Sequence, residues 1–252
     1  TPSSFCFIAT DKKGNSTPLC RLTVTPAATA NAPTAFDLSL QTGVNMKVGG
    51  RLSGTTLEEG ELVYELLTAP SKGDLTCFGS GFVYEPHDGK SGRDSFTYQV
   101  RDAQGNRSEE ATVSIRIDKD VDDVSYCDMG DSLNSYAALC LAKEGILRGE
   151  RVGGSDYFHP KETLSQGEFL LLLMDAAGLG GTEVSAQVDE TPLTVAQAAE
   201  MTGNLLGYAI DIQPKAGSPS EWTETSVAAL GDTLLTRDDA AGLLWQVFCY
   251  MQ

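Results

Sequence analysis

Residues 95–115 read SFTYQVRDAQGNRSEEATVSI. Phe96, Tyr98 and Val100 alternate with Thr97, Gln99 and Arg101, and beyond a short polar stretch Ala111, Val113, Ile115 and Ile117 alternate with polar residues. A period of two places one set of side chains on a buried face and the other in solvent. Between the two runs, Asp102, Gly105 and Asn106 form a D-x-x-G-N sequence. Its glycine and asparagine tolerate positive φ, and its aspartate is suited to bond its own backbone. The stretch therefore predicts a half-buried antiparallel hairpin.

The same pattern occurs at residues 4–24, SFCFIATDKKGNSTPLCRLTV, at a constant offset of 91. Ser4, Phe5, Asp11, Gly14 and Asn15 match Ser95, Phe96, Asp102, Gly105 and Asn106. A repeat of about 90 residues made of short strands predicts tandem β-sandwich modules. Residues 1–27 read as the terminal hairpin of one module and residues 28–119 as a complete one. Further strands are expected at Phe36–Leu40, Leu62–Leu67, Leu75–Phe78 and Gly81–Tyr84, separated by turn-rich segments at Gly49-Gly50, Glu58–Gly60, Pro70–Asp74 and Asp88–Arg93. In the first hairpin Phe5 and Phe7 put Cys6 on the opposite face, whereas Leu22 and Val24 put Cys20 on the apolar one. A direct Cys6–Cys20 bridge would then need a bulge, and the pairing stays open.

The run APSKGDLTCFGSGFVYEPHDGKSGRDSFTYQVRDAQGNRSEEATVSI (69–115) resembles the cadherin-like, immunoglobulin-like tandem domains of bacterial surface proteins. The resemblance rests on the FVYEP hairpin, the GKSGRDSFTY stretch and the D-x-x-G-N turn. It implies a spacer or adhesion module, some members of which bind calcium between repeats. Where that family often carries an aspartate-rich loop, this chain has TTLEEGEL with Glu58 and Glu59. The better calcium candidate is the acidic run DKDVDDVSYCDMGD (118–131), where Asp118, Asp120, Asp122 and Asp123 offer hard oxygen ligands at the junction of the two halves. The competing reading is a solvated acidic linker over 120–125.

Downstream the period changes to that of helices. Asn134–Glu144 puts Ala137, Cys140 and Leu141 on one face, with Gly145 as a left-handed stop. Three further helices open with capping boxes, in which a hydroxyl accepts one of the first free amides and a residue three further on reaches back. The pairs are Ser165/Glu168, Thr194/Gln197 and Thr236/Asp239, each preceded by a leucine (Leu164, Leu193, Leu235). Asp239 is the short-armed partner of the three. The helix from Ser165 is apolar nearly all round (Phe169 to Met174), which predicts the buried centre of its domain.

The pattern from Tyr126 to Leu179 resembles an S-layer homology domain. That family reads F-x-D, a helix, G-I-x-x-G, F-x-P and a second helix opened by I-T-R-A-E. Tyr126, Asp128, Gly145-Ile146, Gly149, Phe158 and Pro160 occupy these positions, and Leu164–Glu168 fills the helix-opening slot. A second unit keeps only its capped helix, and a third has a short helix near Trp222–Leu230 before its capped one, with Ala240, Leu243, Leu244 and Val247 inward. The resemblance implies an all-α, pseudo-threefold bundle over 126–252 that holds a cell-wall polysaccharide. It makes Arg237, Gln166, Glu168 and Gly149 the candidate ligand residues. The motif arginine is replaced by Gln166 and Val195 in two slots and kept as Arg237 in the third. Arg237 is expected to be exposed, so that its loss leaves the melting temperature unchanged. Trp222 and Trp245 could stack on a sugar, although helical spacing favours a core role.

Bulk properties set the limits of function. The net charge is −17, and nucleic-acid phosphates would be repelled. Residues 1–124 carry 12 basic and 17 acidic side chains (−5), and residues 125–252 carry 6 and 18 (−12). No apolar run approaches the roughly 18 residues needed to cross a membrane as a helix. The opening at Thr1 without a leader reads as a mature or excised piece. Cysteines at 6, 20, 77, 127, 140 and 249 are spaced for disulfides outside the cell rather than for zinc. His87 and His159 belong to no catalytic or metal-spaced motif, so no enzyme activity and no cofactor other than calcium is expected. The expectation is an extracellular bacterial surface protein, multidomain, with an immunoglobulin-like or cadherin-like sandwich and then an S-layer-homology-like bundle. Its expected partners are a wall polysaccharide and a host or neighbouring surface protein. The rival readings are a purely structural module and an adhesin acting through the sandwich.

Overall fold

A computed structural model describes residues 3–7, 20–24, 32–57, 59–119, 125–180, 189–207 and 233–251. Strands β1 (Ser3–Phe7) and β2 (Cys20–Val24) form an antiparallel ribbon in which Cys6 faces Arg21 and Phe7 faces Cys20. The register thus places the two cysteines one step apart rather than directly opposite each other. Asp11, Glu58, Asp120, Asp122, Asp123 and the Trp222–Leu230 segment lie outside the described residues.

The sandwich is built from β3 (Thr34–Ala35), β4 (Leu38–Gly43), β5 (Val48–Arg51), β6 (Gly54–Thr55), β7 (Val63–Thr68), β8 (Gly73–Phe78), β9 (Gly81–Pro86), β10 (Gly92–Arg101) and β11 (Ala111–Asp118). One sheet runs β4-β11-β10-β7, with β4 parallel to β11; the other runs β5-β9-β8, and β3 pairs with β6. The hairpin expected at residues 95–115 is β10–β11, with Phe96 opposite Val113 and Tyr98 opposite Ala111. Its inward set meets Phe82 and Tyr84 from the second sheet, and Phe82 packs edge-on against Phe96 at 5.1 Å. Each such buried aromatic contributes about 1.5–3 kcal/mol through the area it removes from water.

Two polar anchors fix the sandwich. The Tyr98 hydroxyl lies 2.6 Å from the Phe36 carbonyl and 2.9 Å from the Ser53 carbonyl. The Asp94 carboxylate, only 8% exposed, accepts from Ser71 N, Ser71 Oγ, Lys72 N and the Tyr84 hydroxyl at 2.8–2.9 Å. Burial alone would raise its pKa, but these four donors outweigh it and hold the group at about 2. Asp102 closes its turn as its spacing predicts, accepting from the amides of Gln104 and Asn106 and from Asn106 Nδ2.

Gly49-Gly50 is not a turn, as the sequence suggested, but lies inside β5 and is buried. A Cβ on Gly50 would meet Phe82 Cζ at 2.4 Å, so the glycine lets a ring from the neighbouring strand lie against the backbone.

The second half contains α1 (Ser135–Lys143), α2 (Gln166–Ala176), α3 (Val195–Leu206) and α4 (Arg237–Met251) around a separate hydrophobic core. It is not wholly helical. A small hairpin of β12 (Glu150–Val152) and β13 (Ser155–Tyr157) turns at Gly153-Gly154, both at positive φ. The apolar run of α2 is not the buried centre: Phe169, Leu173 and Ala176 face inward, while Leu170 and Leu171 are 39% and 40% exposed. Spacings of four and three residues select one stripe, and the rest of the run faces outward. Helix α4 is the more deeply buried, through Ala240, Ala241, Leu243, Leu244 and Val247. Where the halves meet, Asp118 at the end of β11 accepts from Arg116 Nε at 2.7 Å and from the Tyr136 hydroxyl of α1 at 2.5 Å.

Candidate functional site: a cleft between helical units

All three capping boxes form. Ser165 N donates to Glu168 at 2.8 Å and Thr194 N to Gln197 at 3.0 Å, while the shorter Asp239 is reached by Thr236 N at 3.2 Å. The main chain just before and after each box then joins the units in a ring. Gln166 N donates to Thr191 O, Val195 N to Thr233 O and Arg237 N to Glu162 O, at 2.8–2.9 Å. Each donor follows its cap residue, and each acceptor lies two residues before the next unit's leucine. The leucines themselves interlock, with Leu164 N donating to Leu235 O and Leu235 N to Leu193 O. Repeated sequence thus becomes cyclic geometry, and the start of α4 lies against the loops of the first unit.

Arg237 uses that position to bind the first unit's backbone. Its Nε donates to Phe158 O at 2.8 Å, one terminal nitrogen donates to Arg148 O at 2.7 Å, and the guanidinium carbon lies 4.9 Å above the Phe158 ring. The side chain is 15% exposed, so the expectation of a freely exposed arginine is corrected. Asp128 holds the other side of the same loop by accepting from Phe158 N and His159 N at 2.9 and 2.8 Å. That carboxylate supports His159 at φ 58°, a left-handed conformation costly for a residue with a Cβ. Gly149 N donates to the Tyr126 hydroxyl at 3.0 Å. A Cβ there would lie 2.2 Å from Tyr157 O, so only glycine fits.

These loops form a cleft of about 840 Å³ lined by Arg148, Lys161, Arg237 and His159, by the acids Asp128, Glu150 and Glu162, and by Gly149 and Pro160. Of the four sequence-expected ligand residues, Gly149 and Arg237 meet in this cleft. Glu168 instead closes its capping box, and the Ser165 donors, with a smaller contribution from Arg237, lower its pKa. Gln166 sits at the next junction of the ring, against Thr191. Arg148, Lys161 and His159 were missed. Lys161 directly follows the F-x-P segment, the one local signal that could have flagged it.

For calcium, the described part of the acidic run shows Asp118 engaged by Arg116 and Tyr136. Among the described residues no group of three or more His, Cys, Asp or Glu side chains is placed to hold a metal ion. Among the described residues, Cys77, Cys127, Cys140 and Cys249 are not joined to one another by a disulfide. Trp245 packs edge-on to Tyr136 and stacks on Phe248.

Comparison with known proteins places the sandwich. Residues 25–116 match the family described as Bacterial Ig domain, over the stretch that forms the Ig-like β-sandwich. A search of curated proteins finds no match. Among solved structures, an endo-fucoidan hydrolase of glycoside hydrolase family 107 aligns at 15% identity over 51% of this chain and 20% of its own, with a TM-score of 0.31. Human protocadherin-24 EC1-2 aligns at 12% identity over 47% of this chain and 66% of its own, with a TM-score of 0.30. The titin M10–obscurin-like 1 Ig complex aligns at 13% identity over 36% of this chain and 98% of its own, with a TM-score of 0.25. The chain spans about a fifth of the length of the fucoidan hydrolase it matches.

Proposed function

We propose that this chain is a non-catalytic part of an extracellular bacterial surface protein. In this reading the Ig-like domain is a spacer or adhesion module, and residues 126–252 are a degenerate S-layer homology domain that associates with an anionic cell-wall polysaccharide. The bacterial Ig-like match supports the surface role. One observation carries the anchoring role. Residues 125–252 hold only six basic side chains, and three of them, Arg148, Lys161 and Arg237, line a single cleft whose acids are in part engaged, Asp128 by the amides of Phe158 and His159 and Glu150 by the His159 ring. In so acidic a half, that concentration makes a local site for carboxylate or phosphate groups.

The test is sedimentation of the full chain with purified cell-wall sacculi before and after acid extraction of their secondary polymers. Lys161 is exposed and takes no part in the ring, so Lys161→Gln isolates ligand binding from stability. Wild-type protein is expected to sediment with intact sacculi, less well as salt is raised, and the variant severalfold less. A purely structural reading competes, favoured by the hydrogen bonds of Arg237 to two carbonyls. That reading stands if the wild type stays in solution or the variant sediments equally well.

A further inference from the structure

A second cleft, of about 750 Å³, lies between the sandwich and the helical half. Its floor is the outward face of the four-stranded sheet. Strand register sets Arg93 opposite Arg116 and Ser95 opposite Ser114, and the parallel strand β4 continues both rows with Gln41 and Ser39. Its opposite wall is one stripe of α4, Gly242, Trp245, Gln246 and Cys249, beside Asn134 and Tyr136 of the first unit.

The arginine pair is the feature that needs a reason. Like charges directly opposite each other on a sheet face destabilise it. Arg116 is neutralised by Asp118, whereas Arg93 is exposed and has no acidic partner among the described residues. In a chain of net charge −17, a cationic side chain without a partner acid, facing a cleft, is a place for an anion from outside. The remaining carboxylate on the floor, Asp94, is turned inward to its four donors and leaves that charge uncancelled. Around it, the hydroxyls of Ser39, Ser95 and Ser114 and the amides of Gln41, Gln246 and Asn134 can both donate and accept. The ring of the half-buried Trp245 borders the same space, fixed by Tyr136 and Phe248. An apolar aromatic surface, small hydroxyl and amide groups and one open guanidinium fit a pyranose ring bearing a carboxylate.

We propose that this cleft binds an acidic oligosaccharide of the uronic-acid class, with Arg93 taking the carboxylate and Trp245 the face of the sugar ring. The site is distinct from the Arg237 cleft and does not rest on the wall-anchoring reading. A saccharide held there touches both halves of the chain, so it also fastens the sandwich to the helical part.

The test titrates the full chain with trigalacturonic acid and with neutral maltotriose, following tryptophan fluorescence, calorimetry and thermal melting. Trigalacturonic acid is expected to bind, shift the fluorescence and raise the melting temperature, with maltotriose much weaker. Arg93→Gln, on an exposed sheet face, should melt as wild type but bind about tenfold more weakly, the loss of a charge-assisted bond. Trp245→Phe should weaken binding and remove the fluorescence change, and Lys161→Gln in the other cleft should alter neither. Absence of binding, equal affinity for maltotriose, or unchanged affinity in Arg93→Gln would each overturn the proposal.

Discussion

Arg237 and Phe158 hold each other twice, through a bond from Nε to the Phe158 carbonyl at 2.8 Å and through the guanidinium 4.9 Å above the Phe158 ring. With the further bond to Arg148 O, the first residue of α4 ties two loops of the first helical unit to the third. Arg237→Ala should therefore cost about 2–4 kcal/mol, the combined range for lost charge-assisted bonds and a cation–π contact. Arg237→Lys should recover little, because an ammonium cannot fork to two carbonyls while lying over a ring. Urea unfolding of the full chain measures both, and an alanine variant as stable as wild type would return Arg237 to the role of a surface charge.

Asp94 gives the sandwich a defined acid sensitivity. Its pKa falls from an ordinary 3.8 to about 2 in the folded state. A carboxylate depressed by folding stabilises the fold fully above its unfolded pKa, and the contribution is lost as pH falls through the folded value. About 2 kcal/mol should disappear over that window. Asp94→Asn should lose a similar amount at neutral pH, since its amide cannot accept from Lys72 N and the Tyr84 hydroxyl together with Ser71. Its stability should also vary less between pH about 4 and pH about 2 than that of the wild type, which pH-dependent denaturation would reveal.

How much of this was open to sequence reading depends on how far apart the deciding atoms lie. The β10–β11 register and the capping boxes follow from residues within a few positions of each other, and alternation or a hydroxyl–acid pair encodes them directly. Gly49-Gly50 misled because two glycines in a row look like a turn. What decides their place in β5 is Phe82 on the adjacent strand. Arg237 misled for the same reason, its acceptors lying 79 and 89 residues away. The Arg93–Arg116 pair belongs to a hairpin whose register could be written down at once, but the wall of α4 facing it could not.

Gly149 tests the loop that Arg237 grips from the other side. A methyl group at this position would collide with Tyr157 O and with Tyr126 Cε1, 2.4 Å away. Backbone on one side and a ring packed at a tilt against Phe158 on the other leave no easy relaxation. Gly149→Ala should thus lower the stability by about 2 kcal/mol or more, as overpacking does, and with it the melting temperature. Gly153→Ala is the control, as its Cβ would meet nothing but its φ of 60° still disfavours a side chain. A smaller loss there, about 1 kcal/mol, would separate strain from collision.

Leu235 is where the ring of helical units can be broken at one residue. Its amide donates to Leu193 O, its carbonyl accepts from Leu164 N, and its side chain is fully buried with those of both partners. Leu235→Ala leaves the backbone bonds chemically possible but opens a cavity where the three units converge, at a cost of about 2–5 kcal/mol. If the units fold as one closed body, the loss should appear as faster amide exchange at Leu164 and Val195 as well as along α4. The sandwich hairpin, with its own core, should keep its protection at Phe96 and Val113. Hydrogen exchange resolved by residue decides the matter. Faster exchange confined to α4 would mean that the cyclic bonds join units that are stable on their own.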